Sequence, residues 1–245
     1  MANYEGLAQI YDMMMLGVDY EGWADYILEA AATAGVKPQS ALDLACGTGS
    51  TTIPLAKRGL AMSAVDLAPA MLDIARAKTA EANLAINYYE KNMLDMGFQR
   101  EFDMVVSFQD GINYLTGADD FPRLAAQVAQ ALKPGGVFIF DLNLVDKYSD
   151  SDTTVIDLED MYLIYENNYN AAQKLWRIKV TGFVREGDLY RRFEEEHEEK
   201  KHDMAIVKSA LAANNLDLFA IWGIFTQEPP TSGTGRVLVV AKRRD

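Results

Sequence analysis

The stretch ALDLACGTGSTTIPLA, residues 41–56, constrains the fold more than any other part of the chain. It begins as an apolar run typical of a buried strand, turns at Gly47 and Gly49, and continues with helical spacing. Glycine can adopt positive φ and lets a ligand approach the backbone, because it has no Cβ. The helix that follows presents its first N–H groups to the turn. The stretch therefore predicts a strand–loop–helix unit that holds a nucleotide.

Strand-like and helix-like segments alternate around this unit. Strands are predicted at residues 40–45, 61–66, 86–90, 102–108 and 136–141, and helices at 49–58, 69–82 and 119–132. Strands that alternate with helices of this length form parallel βαβ units. The KPGG sequence at 133–136 is expected to separate the last helix from the last strand. The predicted fold class is α/β, with a doubly wound Rossmann-like sheet.

The flanking segments have other patterns. Residues 5–34 have continuous helical spacing. Beyond residue 145, β-branched and aromatic residues with short polar breaks predict three or four antiparallel strands within 153–198. A helix at 203–214 and two strands, DLFAIWGIFT and RVLVVAKR, would then complete a seven-stranded, mostly parallel sheet.

This pattern predicts three parts of the chain. They are an N-terminal helical cap (1–36), a Rossmann-like cofactor domain (37–145 and 203–245) and a small antiparallel β insertion (146–202). The insertion is expected to act as a lid over the substrate.

Composition limits the function classes. The chain of 245 residues has 23 Lys and Arg against 36 Asp and Glu, a net charge of −13. Nucleic-acid binding depends on basic residues that neutralise phosphates, so a small-molecule partner is favoured and a nucleic acid is not. No apolar run reaches the ~18 residues of a membrane span. The single cysteine, Cys46, excludes an intramolecular disulfide and predicts a cytoplasmic protein.

An acidic residue follows the glycine turn at about the spacing of a ribose-binding carboxylate. Asp66 ends the second predicted strand, 19 positions after Gly47, where a carboxylate can accept hydrogen bonds from ribose hydroxyls. Asp66 could instead cap the helix that starts near Pro69. The third glycine of a pyrophosphate-binding G-x-G-x-x-G loop is missing, because position 52 is Thr.

Four motifs occur together in one order: LDLACGTGS, VDLAPAMLDIARAK, FDMVVSFQDGINYL and LKPGGVFIFDLN. In this combination residues 37–145 resemble the class I S-adenosylmethionine-dependent methyltransferases, of the small bacterial type that acts on small molecules. The segments YEGLAQIYDMMM and FEEEHEEKKHDMAIVKSALAANNLDL also resemble this family. The resemblance implies S-adenosyl-L-methionine as cofactor. It also implies in-line methyl transfer to a nitrogen or oxygen nucleophile of a small acceptor.

The resemblance also implies a set of cofactor-binding residues. At the methionine end they are Asp43, Ala45, Gly47 and Gly49. At the adenosine end they are Asp66 for the ribose, Leu67 and Met71 beside the adenine, and Asn92 and Met93 at its edge. Gln109 would lie beside the sulfonium, with Tyr4, Tyr11 and Trp23 over the cofactor. Asn92 replaces a frequent acidic residue, and its carbonyl can accept the same hydrogen bond. The aromatic residues could equally be the packing face of a helix.

Methyl transfer needs alignment of nucleophile and methyl group, and a general base only for some acceptors. The candidates for that base are Asp110, Tyr114 and His197. Asp110 could also cap a turn, and Tyr114 could be buried packing. The His-x4-His sequence HEEKKH is interpreted as a solvated surface, with no metal site. Arg236 is expected to form a surface ion pair.

Three other functions fit part of the sequence. A nicotinamide-dependent oxidoreductase can share the fold, although the third glycine and a Tyr-x-x-x-Lys set are missing. A non-catalytic adenosylmethionine-binding protein would have the same loop. A nucleic-acid methyltransferase would be expected to have an Asn-Pro-Pro-Tyr-type motif where SFQDGINY stands.

Overall fold

Two β-sheets organise the part of the chain that the computed structural model describes, residues 6–144 and 152–244. The strands are β1 (Ser40–Leu44), β2 (Ala61–Asp66), β3 (Ile86–Glu90), β4 (Phe102–Ser107), β5 (Leu132–Asn143), β6 (Asp152–Leu158), β7 (Met161–Asn170), β8 (Leu175–Glu186), β9 (Leu189–Lys200), β10 (Leu216–Gly223) and β11 (Arg236–Arg243). The helices are α1 (Ala8–Met14), α2 (Tyr20–Thr33), α3 (Thr52–Lys57), α4 (Pro69–Glu81), α5 (Asp120–Ala131) and α6 (Met204–Ala213), with a 3-10 turn at Gly111–Tyr114.

The larger sheet confirms the predicted Rossmann-like α/β fold. Its seven strands lie in the order β10-β11-β5-β4-β1-β2-β3. The five strands from β5 to β3 pair in parallel, and β11 pairs antiparallel with both β5 and β10. Strand order reverses between β1 and β4. In doubly wound sheets a ligand binds at this reversal, beyond the carboxyl ends of the strands.

Helices cover both faces of this sheet, which explains why its central strands are apolar on both sides. Helices α2 and α3 pack on one face, with Ile27 and Leu55 fully buried. Helices α5 and α6 pack on the other face, where Leu124 and Leu211 are fully buried. The two layers hold the strand ends in fixed positions.

The smaller sheet is a four-stranded antiparallel meander in the order β6-β7-β8-β9. Helix α1 packs on it, because Leu7 and Ile10 join Met161, Leu163 and Val180 in one buried cluster. The N–H groups of Gly6 and Leu7 donate to the Glu195 carboxylate of β9, at 2.5 and 3.0 Å. The N-terminal helix is therefore bound to the inserted sheet.

Two local predictions were wrong. The predicted helical segment 5–34 is two helices, and Asp19 starts the second one by accepting a hydrogen bond from the Gly22 N–H at 2.9 Å. The KPGG sequence lies inside β5 and is not a separator. Pairing with β4 moves from Phe102↔Leu132 to Met104↔Val137, so residues 133–136 bulge out opposite Asp103. Gly135, at φ +73°, accommodates this bulge.

Within the described ranges, no helix has the length and apolar character needed to cross a membrane.

Candidate active site

A cavity of about 520 Å³ lies at the carboxyl ends of β1, β2 and β4, where the strand order reverses. That volume is within the usual range of small-molecule sites, roughly 300–1,000 Å³. The predicted site residues that line it are Tyr11, Asp43, Ala45, Gly47, Asp66, Leu67, Met71, Asn92, Met93, Gln109 and Tyr114. The chain thus brings together residues that are up to 103 positions apart, from Tyr11 to Tyr114.

The glycine loop forms one wall of the cavity. Gly47 has φ +52°, and a Cβ at this position would meet no other atom within 4 Å. Its N–H donates to Asp66 Oδ2 at 2.8 Å, which joins the loop to the end of β2. A side chain at position 47 would therefore extend into open space at the loop, where a ligand would lie.

Asp66 is held in place by the backbone around it. Its Oδ1 accepts from the Ala68 N–H at 2.9 Å, while Oδ2 accepts from Gly47. Burial raises the pKa of the Asp66 carboxyl, and the backbone hydrogen bonds oppose that rise. A carboxylate can accept about four hydrogen bonds, so the Asp66 group has acceptor capacity left for a ligand hydroxyl.

Thr52 has a clear role at the position where a dinucleotide loop has its third glycine. Its hydroxyl donates to Asp43 Oδ2 at 2.5 Å, and both side chains are buried. Burial raises the pKa of Asp43 to about 7. Thr52 thus orients a buried carboxyl group that lines the cavity.

Three non-glycine residues beside the cavity adopt left-handed backbone conformations. They are Ala45 at φ 53°, Gln109 at 59° and Asp110 at 66°, after β1 and β4. Strained backbone of this kind costs on the order of 1–3 kcal/mol per residue and concentrates at functional sites. A glycine is required at position 111, directly after Asp110, because a Cβ there would lie 3.0 Å from Ala45 Cβ and 2.9 Å from Ser107 Oγ.

Comparison with known proteins agrees with this geometry. Residues 41–136 match the family model described as a methyltransferase domain. The crystal structure of an S-adenosylmethionine-dependent methyltransferase from Clostridium acetobutylicum superposes with a TM-score of 0.88, at 29% identity and 99% coverage of both chains. Residues 41–136 therefore form a methyltransferase domain, and the whole chain has the fold of an S-adenosylmethionine-dependent methyltransferase.

Two curated relatives support this assignment. The YqeM protein of Bacillus subtilis is 29% identical to this methyltransferase over 98% of the present chain and 97% of its own length. A sugar enzyme of Streptomyces venezuelae, named dTDP-3-amino-3,4,6-trideoxy-alpha-D-glucopyranose N,N-dimethyltransferase, is 30% identical over 55% of the chain and 56% of its own length.

Several predicted site residues of the methyltransferase lie elsewhere. Trp23 packs in the core against Phe108 and Phe225, with ring centroids 5.3 and 4.6 Å away. Gly49 faces away from the cavity, since a Cβ there would lie 2.9 Å from the Tyr88 hydroxyl. Both residues therefore have packing roles. Tyr4 lies outside the described residues.

Asp110 was predicted as a general base or a turn cap, and Arg236 as part of a surface ion pair. The structure joins these two residues in one ion pair. Arg236 is half-buried, and its guanidinium bridges Asp110 Oδ2, at 2.7 Å, and the fully buried Asp141. Asp110 does not itself line the cavity, although Gln109 and Gly111 on either side of it do. Because Asp110 Oδ2 is bound to Arg236 and the side chain does not line the cavity, Asp110 is a weaker candidate for the general base.

The HEEKKH segment is not a solvated surface, because both histidines are buried. His197 faces the interior from β9, its ring edge-on to Tyr114 with centroids 6.0 Å apart and its Nε2 3.4 Å from Glu195 Oε2. His202 Nε2 bonds to the Ile112 carbonyl at 2.9 Å. No cluster of three metal-ligating side chains occurs among residues 6–144 and 152–244. Side chains of β9 alternate between the two faces of the smaller sheet, and position 197 lies on the buried face.

A polar network that the sequence did not predict connects α1 to the glycine loop. Asp12 Oδ1 accepts from the Thr48 hydroxyl at 2.6 Å, and Asp12 Oδ2 pairs with Lys78 Nζ of α4, also at 2.6 Å. Tyr11, the neighbour of Asp12, lines the cavity, and burial raises its pKa. The network therefore holds Tyr11 over the site.

We expect Asp12→Ala to loosen α1. Loss of a hydrogen bond and an ion pair with partly exposed partners should cost about 1 kcal/mol, or roughly fivefold faster amide exchange across α1. Hydrogen exchange measured by mass spectrometry would test this. Asp73→Ala is the matched control, because Asp73 is exposed and pairs with Arg76 on the same helix. Equal exchange in both variants would show that the network does not hold α1.

Glu199, which the sequence did not single out, stands behind Tyr114. Burial is the main cause that raises its pKa to about 8, Asp110 and Asp141 add to the rise, and Arg236 and a hydrogen bond from Tyr114 oppose it. The neighbouring Glu198 faces outwards and pairs with Arg177 at 2.7 Å. Alternation along β9 explains why these adjacent acids have different surroundings.

The raised pKa of Glu199 predicts a loss of stability as pH rises. An unfolded Glu ionises above its ordinary pKa of 4.5, whereas folded Glu199 stays protonated to about 8. Between these values the folded state binds more protons, so stability should fall by up to about 1.4 kcal/mol per pH unit. Glu199→Gln should flatten this dependence in urea denaturation at pH 5 and pH 8, while Glu198→Gln should not. If the unfolding free energy changes equally with pH in the wild type and in Glu199→Gln, the raised pKa of Glu199 is contradicted.

Proposed function

We propose that this methyltransferase transfers the methyl group of S-adenosylmethionine to a nitrogen or oxygen atom of a small-molecule acceptor. The observation that carries the proposal is the single cavity shared by the glycine loop, Asp66 and Tyr114. The first two have the chemistry to hold the donor, and Tyr114 stands where an acceptor would meet it.

The residues present suit this cofactor. Asp66 offers two held carboxylate oxygens to the ribose hydroxyls. Asp43 and the N–H groups of the loop suit the amino and carboxylate groups of the methionine end. Leu67 is 61% exposed although it is a large apolar residue, and with Met71 it offers apolar surface to the adenine. Asn92 Oδ1 already accepts from the Leu94 N–H at 2.8 Å and keeps one lone pair for the adenine amino group.

The donor supplies an activated methyl group when it is bound. The chain's own contribution is to orient both reactants and to exclude water. Tyr11 and Tyr20 contribute aromatic surface to the wall, and burial raises the pKa of Tyr20 to about 12, so both tyrosines stay neutral and favour a sulfonium cation by their ring faces. Gln109 offers a polar side chain beside Tyr114.

A small acceptor is supported by three observations. The net charge of −13 opposes nucleic-acid binding. The Streptomyces venezuelae relative is named for methylation of an amino sugar. His197 of the inserted sheet contacts Tyr114, which lines the cavity, and this contact supports a lid role for the sheet. The single, buried Cys46 is consistent with work in the cytoplasm.

An acceptor screen with methyl-labelled S-adenosylmethionine tests the proposal. Amines, alcohols, phenols and amino sugars should be compared with a short RNA and a protein extract. We expect label transfer to at least one small molecule and none to RNA or protein. Transfer to a macromolecule alone would contradict the small-molecule assignment.

A further inference from the structure

A cluster of fully and partly buried charges lies directly behind Tyr114, outside the residues expected to hold the cofactor. It consists of Glu199 of β9, Asp110 before the 3-10 turn, Asp141 of β5 and Arg236 of β11. Three carboxylates thus face one guanidinium. Arg236 is already bound to both aspartates, so Glu199 has no cation of its own within the cluster.

An excess of buried negative charge is unfavourable unless a proton or a cation compensates it. Asp110 is the charged neighbour that most opposes ionisation of Glu199, and Asp141 acts in the same direction. Without a ligand a proton meets this need, and the pKa of Glu199 is accordingly raised to about 8. A cationic ligand group near Tyr114 would replace that proton.

A second observation points to a missing hydrogen-bond donor at this place. Asp110 Oδ1 is buried and accepts no hydrogen bond from the residues that the structure describes. Buried polar atoms in native proteins nearly always have a partner. Gln109 and Gly111, the chain neighbours of Asp110, both line the cavity, so this unpartnered oxygen belongs to a residue next to its wall.

We propose that Tyr114 and Glu199 form the proton-accepting end of an acceptor subsite, and that the nucleophile of the acceptor is an amine. The inference rests on the proposed function, since it names the acceptor class of the same cavity. Tyr114 would contact the amine, and Glu199 would act through the Tyr114 hydroxyl.

The proton changes balance in this scheme. An ammonium group binds in place of the Glu199 proton, which leaves to solvent. Before transfer, the ammonium gives one proton to Tyr114 Oη as the Tyr114 hydroxyl proton passes to Glu199. The freed nitrogen lone pair forms the new C–N bond, and the electron pair of the broken C–S bond remains on sulfur. The product leaves as a methylated ammonium ion, and Glu199 stays protonated for the next turnover.

The first test is made on the protein without ligands. In a sample with 13C-labelled Glu side chains, the carboxyl resonance that disappears in Glu199→Gln is assigned to Glu199. We expect it to titrate near pH 8. A Glu199 resonance that titrates near 4.5, the ordinary pKa of a glutamate, would overturn the proposal.

The second test uses matched probes with S-adenosylhomocysteine bound. The pairs are D-glucosamine and D-glucose, benzylamine and benzyl alcohol, and ethanolamine and ethylene glycol. We expect at least one amine to bind about tenfold tighter than its alcohol and to release a proton below pH 8, seen by calorimetry in buffers of different ionisation enthalpy. The same amine should lower the pKa of Glu199.

Variants separate a proton-accepting role from a structural one. Glu199→Gln and Tyr114→Phe should abolish both the amine preference and the proton release, Glu199→Asp should restore part of each, and Glu198→Gln should change neither. Affinity for S-adenosylhomocysteine should stay unchanged in all four. Amine preference retained in Glu199→Gln, or no preference in any pair, would overturn the inference. If the wild-type protein does not bind S-adenosylhomocysteine, the proposed function itself is contradicted.

Discussion

Gly47→Val should abolish binding of S-adenosylhomocysteine while the protein stays folded. The new side chain would extend into the open space at the loop, because no atom lies within 4 Å of the Cβ position. A β-branched residue at φ +52° should also cost about 1–3 kcal/mol of backbone strain, which a domain of this size can tolerate. Isothermal calorimetry would measure the affinity, and circular dichroism would check the fold.

Gly187→Val is the matched control for this variant. Gly187 lies in the turn between β8 and β9 at φ +66°, and a Cβ there also meets nothing within 4 Å. The two substitutions therefore impose a similar backbone cost at different places. Full affinity in Gly187→Val and none in Gly47→Val would assign the loss to the ligand site. Full affinity in both would mean that the glycine loop does not touch the cofactor.

Asp66→Ala should weaken S-adenosylhomocysteine binding by about 1.5–3 kcal/mol for the lost hydrogen bonds to a charged group, or roughly 10- to 150-fold. The structure adds a second cause, since Asp66 also holds the N–H groups of Gly47 and Ala68. The loop should therefore move as well, and we expect the upper part of that range.

Calorimetry of Asp66→Ala beside Asp73→Ala would measure this loss. Asp73 is an exposed carboxylate of α4 that pairs with Arg76 and does not line the cavity, so its removal should leave the affinity unchanged. Adenosine should lose affinity with Asp66→Ala, and 2′,3′-dideoxyadenosine should not. Equal losses for both nucleosides would show that Asp66 supports the loop without contacting the ribose.

The strands and helices whose apolar residues repeat at regular spacing could be predicted from the sequence. The apolar runs predicted β1 and β2, and the position of Asp66 after the second run predicted that it lies at the end of β2. The structure has it there, beside the cavity. Parallel pairing brings consecutive strand ends to one edge. The family resemblance then implied the other cavity-lining residues from Asp43 to Gln109.

The acceptor side could not be predicted in this way, because its contacts join distant segments. Glu199 looked like one of several similar acids, and only the register of β9 turns it inwards. Arg236 is separated from Asp110 by 126 positions, and no local pattern links them. Trp23 has the helical spacing of both a core residue and a cofactor contact, so tertiary packing alone decides between the two.

The most direct measurement compares two ligands on the unaltered protein. Calorimetry should be carried out with S-adenosylhomocysteine and, separately, with NAD under the same conditions. We predict saturable one-to-one binding of S-adenosylhomocysteine and no heat of binding with NAD, because Thr52, which is hydrogen-bonded to the buried Asp43, stands where a dinucleotide loop has its third glycine. Saturable binding of NAD without binding of S-adenosylhomocysteine would contradict the assignment of this cavity to a methyl donor.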